Sequence, residues 1–247
     1  MSKVKFRIGL IVPSSNTTME VELYRMAPSD ITIHVDRMYL TRATYEQWQR
    51  MNKDIIRCCQ YLSSAKVNII IFGCTGASFA EGVGYDRHIE KMMTDAVGIP
   101  AITTARALLE GIREVSANKI ALASPYSKDV HQRAERFLRG NNIEILSSQN
   151  MGDEYVENTK LGLLGPESAE KAAQKVDCPE AQAIVLSCTN WRTIEVIDKL
   201  EKILGKPVIS SNQASLWAAL KSLNYNSSLT RWGKLMNLLK LKKERID

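Results

Sequence analysis

The chain has 247 residues, of which 45% are hydrophobic, 24% are charged and only 6% are aromatic. A chain of this length and composition can bury a large apolar core, so disordered, collagen-like and coiled-coil proteins are excluded. Most of its formal net charge of +6 lies beyond residue 228, which leaves the body close to neutral. Because the body also lacks a basic stripe interleaved with aromatic residues, we expect no nucleic-acid binding.

Short runs rich in Val and Ile alternate with amphipathic stretches along the chain. The runs predict strands at Phe6–Val12, Ile31–Val35, Val67–Phe72, Lys119–Ala123, Ile143–Leu146, Ala183–Leu186 and Val208–Ile209. The amphipathic stretches predict helices at Tyr45–Ser63, Ala105–Val115, Val130–Leu138, Glu167–Val176 and Thr193–Leu204. This alternation is typical of an α/β protein with mostly parallel sheets and helices on both faces.

The first and second halves of the chain resemble each other. Ile8–Ser15 aligns with Ile120–Ser127 at an offset of 112 residues, and Phe72–Gly76 aligns with Leu186–Asn190 at an offset of 114. Two matches at nearly one offset predict two pseudo-symmetric Rossmann-like halves with a boundary near Ala117. The expected units are an N-terminal half (1–117), a C-terminal half (118–228) and a basic tail (229–247).

Two cysteines occupy equivalent places in this repeat, because Cys74 and Cys188 each follow a predicted buried strand. Ligands of open α/β sheets bind at the carboxyl ends of the strands, so both Cys-Thr turns should face one cleft between the halves. Predicted helices after each turn would direct backbone N–H groups and a positive dipole end at the sulfur. We therefore expect a thiol pKa lowered from about 8.5 to about 7.

Other roles for these cysteines compete with catalysis. A single cysteine at a strand end is more often a packing residue, but two repeat-related thiols favour a chemical role. Zinc needs three or four suitably spaced ligands, and none of the three histidines is close in sequence to either Cys-Thr turn. Those histidines are His34, His88 and His131, and the remaining cysteines, interpreted as structural, are Cys58, Cys59 and Cys178.

The number and context of the cysteines predict a compartment. Five is an odd number, and the sequence shows neither a secretory signal pattern nor a stretch of about 20 apolar residues. We therefore expect reduced thiols in a cytoplasmic protein that does not span a membrane. In the tail, Leu235, Leu238, Leu239 and Leu241 alternate with lysines, and we expect a solvated or subunit-packing helix there, with binding to anionic lipid as the alternative.

The turns after the first strand of each half carry candidate carboxylate contacts. In the turn Pro13–Glu20, Asn16, Thr17 or Thr18 can cap the following helix, and the Asn16 amide can instead donate to a substrate carboxylate. Tyr126 supplies a phenol in the corresponding turn of the second half. Both side chains are predicted to face the same cleft as the cysteines.

Three segments together resemble one known family. They are Gly9–Glu20 (GLIVPSSNTTME), Phe72–Phe79 (FGCTGASF) and Ser187–Thr193 (SCTNWRT). Their pattern is similar to that of maleate cis-trans isomerases, members of the aspartate/glutamate racemase superfamily that also contains arylmalonate decarboxylases. The resemblance covers nearly the whole chain and includes Ser211–Trp217, but the basic segment after Leu229 does not match the family pattern.

The resemblance implies a role for each matching residue. Cys74 corresponds to the nucleophile of the family and Cys188 to its second catalytic cysteine. Substrate contacts are implied for the turn residues and for the residues that follow the cysteines: Asn16, Tyr126, Asn158, Thr75 and Thr189. A homodimer is also implied. No metal, nicotinamide or pyridoxal cofactor is expected, and the usual nucleotide-binding glycine motifs do not occur in the sequence.

The implied reaction is conversion of maleate to fumarate through a succinyl-cysteine intermediate. A cofactor-independent amino-acid racemase is an alternative, since two opposed thiols can move a proton between the two faces of an α-carbon. An arylmalonate-type decarboxylase is another alternative, although it needs only one cysteine. A non-catalytic module that clamps a dicarboxylate between two α/β halves is the alternative from outside the enzymes.

Overall fold

Eight parallel strands form two sheets of four in the computed structural model, which describes residues 4–226 and 229–239. The first sheet contains β1 (Phe6–Pro13), β2 (Ile31–Met38), β3 (Ile69–Phe72) and β4 (Ala101–Thr103). The second contains β5 (Lys119–Ser124), β6 (Glu144–Asn150), β7 (Ala183–Leu186) and β8 (Val208–Ser210). Their orders, β2-β1-β3-β4 and β6-β5-β7-β8, are equivalent, so the predicted α/β fold with two similar halves is confirmed.

Helices connect the strands on both sides of each sheet. Those of the first half are α1 (Met19–Met26), α2 (Tyr45–Asn52), α3 (Ile55–Ser64), α4 (Thr75–Ser78), α5 (Tyr85–Val97) and α6 (Thr104–Glu114). Those that follow are α7 (Lys128–Gly140), α8 (Asn158–Gly162), α9 (Pro166–Val176), α10 (Ile197–Leu204), α11 (Ser211–Ser222) and α12 (Gly233–Asn237). The helix predicted over Tyr45–Ser63 is therefore two helices, and the one predicted from Thr193 begins only at Ile197.

The central strands β1 and β3 consist almost entirely of buried apolar residues. All four residues of β3 are buried, and so are the last six of β1. Such continuous apolar runs are typical of parallel strands that helices cover on both faces. The boundary near Ala117 stays a prediction; it falls between α6 and the first strand of the second sheet.

The two halves meet through hydroxyl groups on the helices that follow β3, β4 and β8. Thr75 at the start of α4 donates to Ser211 Oγ at 3.0 Å, and Ser215 of α11 donates to Thr104 Oγ1 of α6 at 3.1 Å. All four side chains are buried. Because buried hydroxyl groups are costly when they lack partners, these bonds favour one arrangement of the halves.

The C-terminal segment packs onto the body as far as residue 239. Leu235 and Met236 of α12 are fully buried, and Leu239 is nearly so. The expectation of a solvated or subunit-packing helix is therefore wrong for the described part of the tail, and its remaining residues, including Leu241, lie outside the described residues. Across the described ranges, no helix has the length and apolar character that crossing a bilayer requires.

A half-buried carboxylate supports the junction between β4 and α6. Glu90 accepts hydrogen bonds from the N–H of Thr103 (2.8 Å) and from its hydroxyl (3.2 Å), both on the same oxygen, Oε1. Burial raises the pKa of Glu90 from 4.5 to about 7. The folded state therefore holds this proton more tightly than the unfolded chain does, and stability is lost as the pH rises from about 4.5 to about 7.

Replacing Glu90 with Gln should remove this pH-dependent loss of stability. A glutamine keeps the oxygen that accepts both bonds from Thr103 but never ionises. We expect the Tm of Glu90→Gln to exceed that of the wild type by about 3 °C or more at pH 8 and to match it at pH 4.5. Thermal unfolding followed by circular dichroism at both pH values measures the difference. An equal effect at both pH values would contradict the assigned pKa.

Candidate active site

Both candidate catalytic cysteines lie at the carboxyl ends of central strands. Cys74 follows β3 after one glycine and is the N-cap of α4, while Cys188 follows β7 after one serine. They are only 6% and 3% exposed. The helix predicted after Cys188 begins only at Ile197, because residues 189–191 form a turn and bend, and α4 after Cys74 is only four residues long. Helix dipoles therefore contribute less to this site than the sequence predicts.

Each sulfur lies near N–H donors of its own turn. The N–H groups of Gly76 and Ala77 point at Cys74, and the N–H of Asn190 lies 3.3 Å from Cys188 Sγ. These donors favour the thiolate, but burial disfavours it more strongly and raises the pKa of both thiols to about 12. The predicted lowering to about 7 is thus wrong for this closed structure.

Two polar contacts cross between the halves next to the cysteines. The Tyr126 hydroxyl, from the turn after β5, hydrogen bonds with Thr75, the residue after the opposite cysteine, and also with Cys188. Asn16, from the turn after β1, donates through Nδ2 to Thr189 Oγ1 at 3.1 Å. Each half thus reaches the Cys-Thr turn of the other, which brings these predicted site residues together around one centre.

The two cysteines belong to one electrostatic environment. A charge on Cys74 raises the pKa of Cys188, and charges on either cysteine raise the pKa of the Tyr126 phenol. Burial has the same effect on all three groups and is the largest cause for each. Ionisation of one of these three side chains therefore disfavours ionisation of the other two.

Asn16 serves both of the roles that the sequence left open. Its Oδ1 accepts from the N–H groups of Thr18 (3.0 Å) and Met19 (2.9 Å), which caps the start of α1. Its Nδ2 points away from the helix, toward Thr189. Because both amide ends are engaged and the side chain is only 1% exposed, the orientation of the Nδ2 group is fixed.

Asn158 lies between the turn after β1, which contains Ser15, and the turn after β7, which contains Asn190. It is the first residue of α8 and is buried. Its Nδ2 donates to Ser15 Oγ at 2.9 Å, and its carbonyl oxygen accepts from Asn190 Nδ2 at 2.6 Å. The structure therefore places this residue, the least distinctive of the sequence-based assignments, beside the others.

One loop from each half pairs with the other next to Asn158. The N–H of Ala43 donates to the carbonyl of Val156 at 2.8 Å, and the N–H of Asn158 donates to the carbonyl of Thr41 at 3.0 Å. Arg42 and Glu157 form an antiparallel bridge between these bonds. Together with the burial of both cysteines, this pairing describes a closed form of the site.

A buried carboxylate that the sequence analysis missed also borders the site. Glu22 of α1 accepts from the N–H groups of Thr193 (2.7 Å) and Ile194 (3.3 Å) through Oε1, and from Asn212 Nδ2 (2.7 Å) through Oε2. Burial raises the pKa of Glu22 to about 7. The available signal was its position on the buried face of α1, which is otherwise apolar.

Asn190 is a second residue that the sequence analysis did not single out. Its side chain bonds to both neighbouring loops, since Oδ1 accepts from the N–H of Thr17 at 3.0 Å and Nδ2 donates to the Asn158 carbonyl. Within residues 4–226 and 229–239, no cluster of three or more His, Cys, Asp or Glu side chains is arranged to hold a metal ion. All five cysteines are free thiols.

Comparison with known proteins identifies the family. The arylmalonate decarboxylase family model matches residues 8–236. A maleate isomerase of Geobacillus stearothermophilus is 32% identical, and the match covers 94% of this chain and 97% of the relative. The match to the family model extends into the tail segment that the sequence-based resemblance did not reach.

Solved structures of maleate isomerases share the fold. A Cys-to-Ala variant of the isomerase Iso from Pseudomonas putida S16 with maleate has a TM-score of 0.90 at 29% identity, covering 94% of this chain and 97% of that one. A Cys-to-Ser variant of the Nocardia farcinica enzyme, with a covalently bound succinylcysteine intermediate, has a TM-score of 0.89 at 26% identity, covering 94% and 98%. This chain therefore belongs to the arylmalonate decarboxylase family and, within it, to the maleate isomerases.

Proposed function

We propose that this protein converts maleate to fumarate without a cofactor, through a succinyl adduct on Cys74. The observation that carries the proposal is the pair of buried thiols, Cys74 and Cys188, at equivalent strand ends and within one hydrogen-bonded cluster. The similarity to enzymes of this activity, one of them with a succinylcysteine intermediate, supports the covalent route.

The first step removes the double bond that prevents rotation. The Cys74 thiolate adds to one alkene carbon, and the π electron pair moves to the other carbon and into its carboxylate, giving an aci-carboxylate. The thiol of Cys188 then donates its proton to that carbon, which leaves a succinyl thioether on Cys74 and a thiolate on Cys188. Only one sulfur is ionised at each stage, as this low-dielectric site requires.

The second half of the reaction reverses these steps after rotation. The former alkene bond of the thioether is single, so the two carboxylates can rotate apart. The Cys188 thiolate takes a proton from the carbon it protonated, the electron pair re-forms the double bond, and the C–S bond breaks. Fumarate leaves, and Cys74 returns to a thiolate stabilised by the N–H groups of Gly76 and Ala77.

The amides and hydroxyls around the cysteines are suited to bind the substrate carboxylates. Asn16 and Asn158 each use one Nδ2 hydrogen within the protein, to Thr189 and Ser15 respectively, and can present the other to a carboxylate. The Tyr126 hydroxyl lies between Thr75 and Cys188 and can donate to the second carboxylate. Fixed donors of this kind stabilise the charge that develops on the aci-carboxylate.

Incubating the purified protein with maleate and following the product by proton NMR tests the proposal. We expect fumarate to form without added metal or cofactor, and digestion of the quenched enzyme to give a Cys74 peptide heavier by one maleic acid. Parallel incubations contain aspartate, glutamate and an arylmalonate. Racemised amino acid or released carbon dioxide without fumarate would contradict the isomerase assignment, and binding of maleate without any product would favour a dicarboxylate-binding module.

The same proposal includes a cytoplasmic location, a homodimeric assembly and no nucleic-acid or membrane partner. Support for the location comes from the chemistry, because free thiols must stay reduced to act as nucleophile and acid. The homodimer is inferred from the resemblance to maleate isomerases. Size-exclusion chromatography with light scattering measures the assembly directly.

A further inference from the structure

The hydrogen bonds of Glu22 reach the backbone of the Cys188 turn. Asn212, at the start of α11, donates through Nδ2 both to Glu22 Oε2 at 2.7 Å and to the carbonyl oxygen of Thr189 at 3.1 Å. Thr189 directly follows Cys188 and also accepts the bond from Asn16. The carboxylate therefore orients Asn212, and Asn212 holds the carbonyl on the C-terminal side of Cys188.

Glu22 holds the far side of the same turn as well. Its other oxygen accepts from the N–H groups of Thr193 and Ile194, where the segment after Cys188 approaches α1. One buried carboxylate therefore holds both ends of the turn from residue 188 to residue 194, one end through Asn212 and the other by direct hydrogen bonds. Hydrogen bonds to a charged acceptor are stronger than those between neutral groups, so a neutral side chain would hold this turn less firmly.

The charge of Glu22 lies on the Cys188 side of the site. An ionised Glu22 raises the pKa of Cys188, and its hydrogen bonds go to Thr193, Ile194 and Asn212, beside the Cys188 turn. The other charged group that acts on Glu22 is Glu195, which itself forms ion pairs with Arg25 (2.7 Å) and Arg192 (3.0 Å). The residue of α11 that bonds to Glu22 is the uncharged Asn212. The negative charge that faces the Cys188 turn is therefore that of Glu22.

The equivalent place beside Cys74 is apolar. At the repeat offset of 112, Glu22 corresponds to Ala134 on α7. By position in the equivalent helices, Asn212, the second residue of α11, corresponds to Ala105, the second residue of α6. Both alanines line a cavity of about 10 Å³ next to Thr75, together with Phe79 and other apolar side chains. The pseudo-symmetry that places two thiols in one site is thus broken by a polar pair on one side only.

From this difference we propose that Glu22 is a positioning residue that makes the two cysteines unequal. It fixes the Cys188 turn through Asn212 and the N–H groups of Thr193 and Ile194, and its negative charge adds to the burial that keeps the proton on Cys188. Cys74 has alanines at the equivalent place, so no carboxylate there opposes its ionisation. This assignment of roles rests on the proposed isomerase function, whereas the effect of Glu22 on the Cys188 thiol is independent of any substrate.

The first test measures the reactivity of Cys188 without maleate. In a Cys74→Ser background, iodoacetamide labelling of Cys188 is followed by peptide mass spectrometry from pH 5.5 to 8.5, with and without Glu22→Gln. We expect labelling rates to be equal at pH 5.5, where Glu22 is protonated, and about tenfold faster in Glu22→Gln at pH 8.5, where the wild-type side chain is charged. A ratio that does not change with pH would indicate a merely structural role and would overturn the proposal.

Two comparisons make this test specific. Glu90→Gln removes a half-buried carboxylate whose pKa is also about 7 but which bonds to Thr103 instead of the Cys188 turn, and we expect it to leave the labelling profile unchanged. Glu22→Asp keeps the charge and should retain the pH-dependent protection. If Glu22→Gln fails to fold, the Cys74→Ser protein alone decides the question. As Glu22 ionises near pH 7, the Cys188 labelling rate of this protein should rise less than tenfold per pH unit. A constant tenfold rise per pH unit contradicts the proposal.

Turnover then tests the consequence for catalysis. We expect Glu22→Gln to lower kcat for maleate at least tenfold while KM changes less than threefold, because the substrate contacts remain but the Cys188 turn is held less firmly and its thiol is less well placed to donate the proton. Unchanged kcat at pH 8 would overturn the catalytic part of the proposal. If the wild-type protein forms no fumarate, the proposed function fails, and the labelling experiment still decides the role of Glu22.

Discussion

Replacing Cys74 with Ala should abolish fumarate formation, whereas replacing Cys188 with Ala should lower kcat by about 10²- to 10⁴-fold, the usual contribution of a general acid. The difference arises because no other group near the alkene can form the covalent bond, while water can partly replace Cys188 as the proton donor. We also expect the succinyl adduct on Cys74 to accumulate in Cys188→Ala, because the step that removes the proton from the intermediate is slowed. Single-turnover kinetics with quenching and peptide mass spectrometry measures both quantities.

Cys178→Ala is the matched control, since Cys178 is a half-buried thiol in the loop between α9 and β7. We expect it to retain kcat and KM within twofold. Maleate affinity, measured by calorimetry, should persist in Cys74→Ala because the amide and hydroxyl contacts remain. Equal losses of kcat for the two active-site variants would contradict the assigned difference in roles. A larger loss for Cys188→Ala would reverse the roles. Full retention of turnover in Cys74→Ala would exclude a covalent route through this residue.

Much of the architecture was predictable because it depends on local patterns. The apolar runs of buried parallel strands and the repeated Cys-Thr turns gave the fold class and brought Cys74 and Cys188 to equivalent strand ends. Strand β4 was missed because its three residues, Ala-Ile-Thr, contain a single Val or Ile and so form no apolar run, whereas β8, equally short, begins with Val and Ile. The predicted helix over 45–63 divides at Lys53 and Asp54, where a turn lets the segments before and after it bury separate apolar faces.

The residues that make the two cysteines unequal were not predictable in the same way. Glu22 occurs in a short helix with other charged residues, and its partners, Thr193 and Asn212, are about 170 and 190 residues away. No local spacing links these three positions. Likewise, the sequence shows the N–H donors that lower a thiol pKa, because they lie in the same turn, but it does not show the burial by both halves that raises it.

The pH dependence of turnover should distinguish these two effects on the nucleophile. If the N–H groups of Gly76 and Ala77 dominated, the Cys74 pKa would lie near 7 and kcat/KM would be constant above about pH 8. With burial dominant, the pKa is about 12, so the fraction of thiolate rises tenfold for each pH unit over the whole accessible range. We therefore expect kcat/KM for maleate to rise about 30- to 100-fold between pH 7.5 and 9.5.

The experiment needs conditions in which only the thiols titrate. Above pH 7.5 both carboxylates of maleate are ionised, and Glu22, with a pKa of about 7, is already mostly charged. Constant ionic strength and circular dichroism at each pH exclude screening and unfolding as causes. A plateau above pH 8 would show that the thiolate of the free enzyme forms in an environment less buried than this closed structure. A continuous rise would mean that both thiols are protonated in most enzyme molecules and that the small fraction with a Cys74 thiolate limits the rate. The physical reason is that a site that excludes water strengthens interactions between charges but makes formation of the first charge unfavourable.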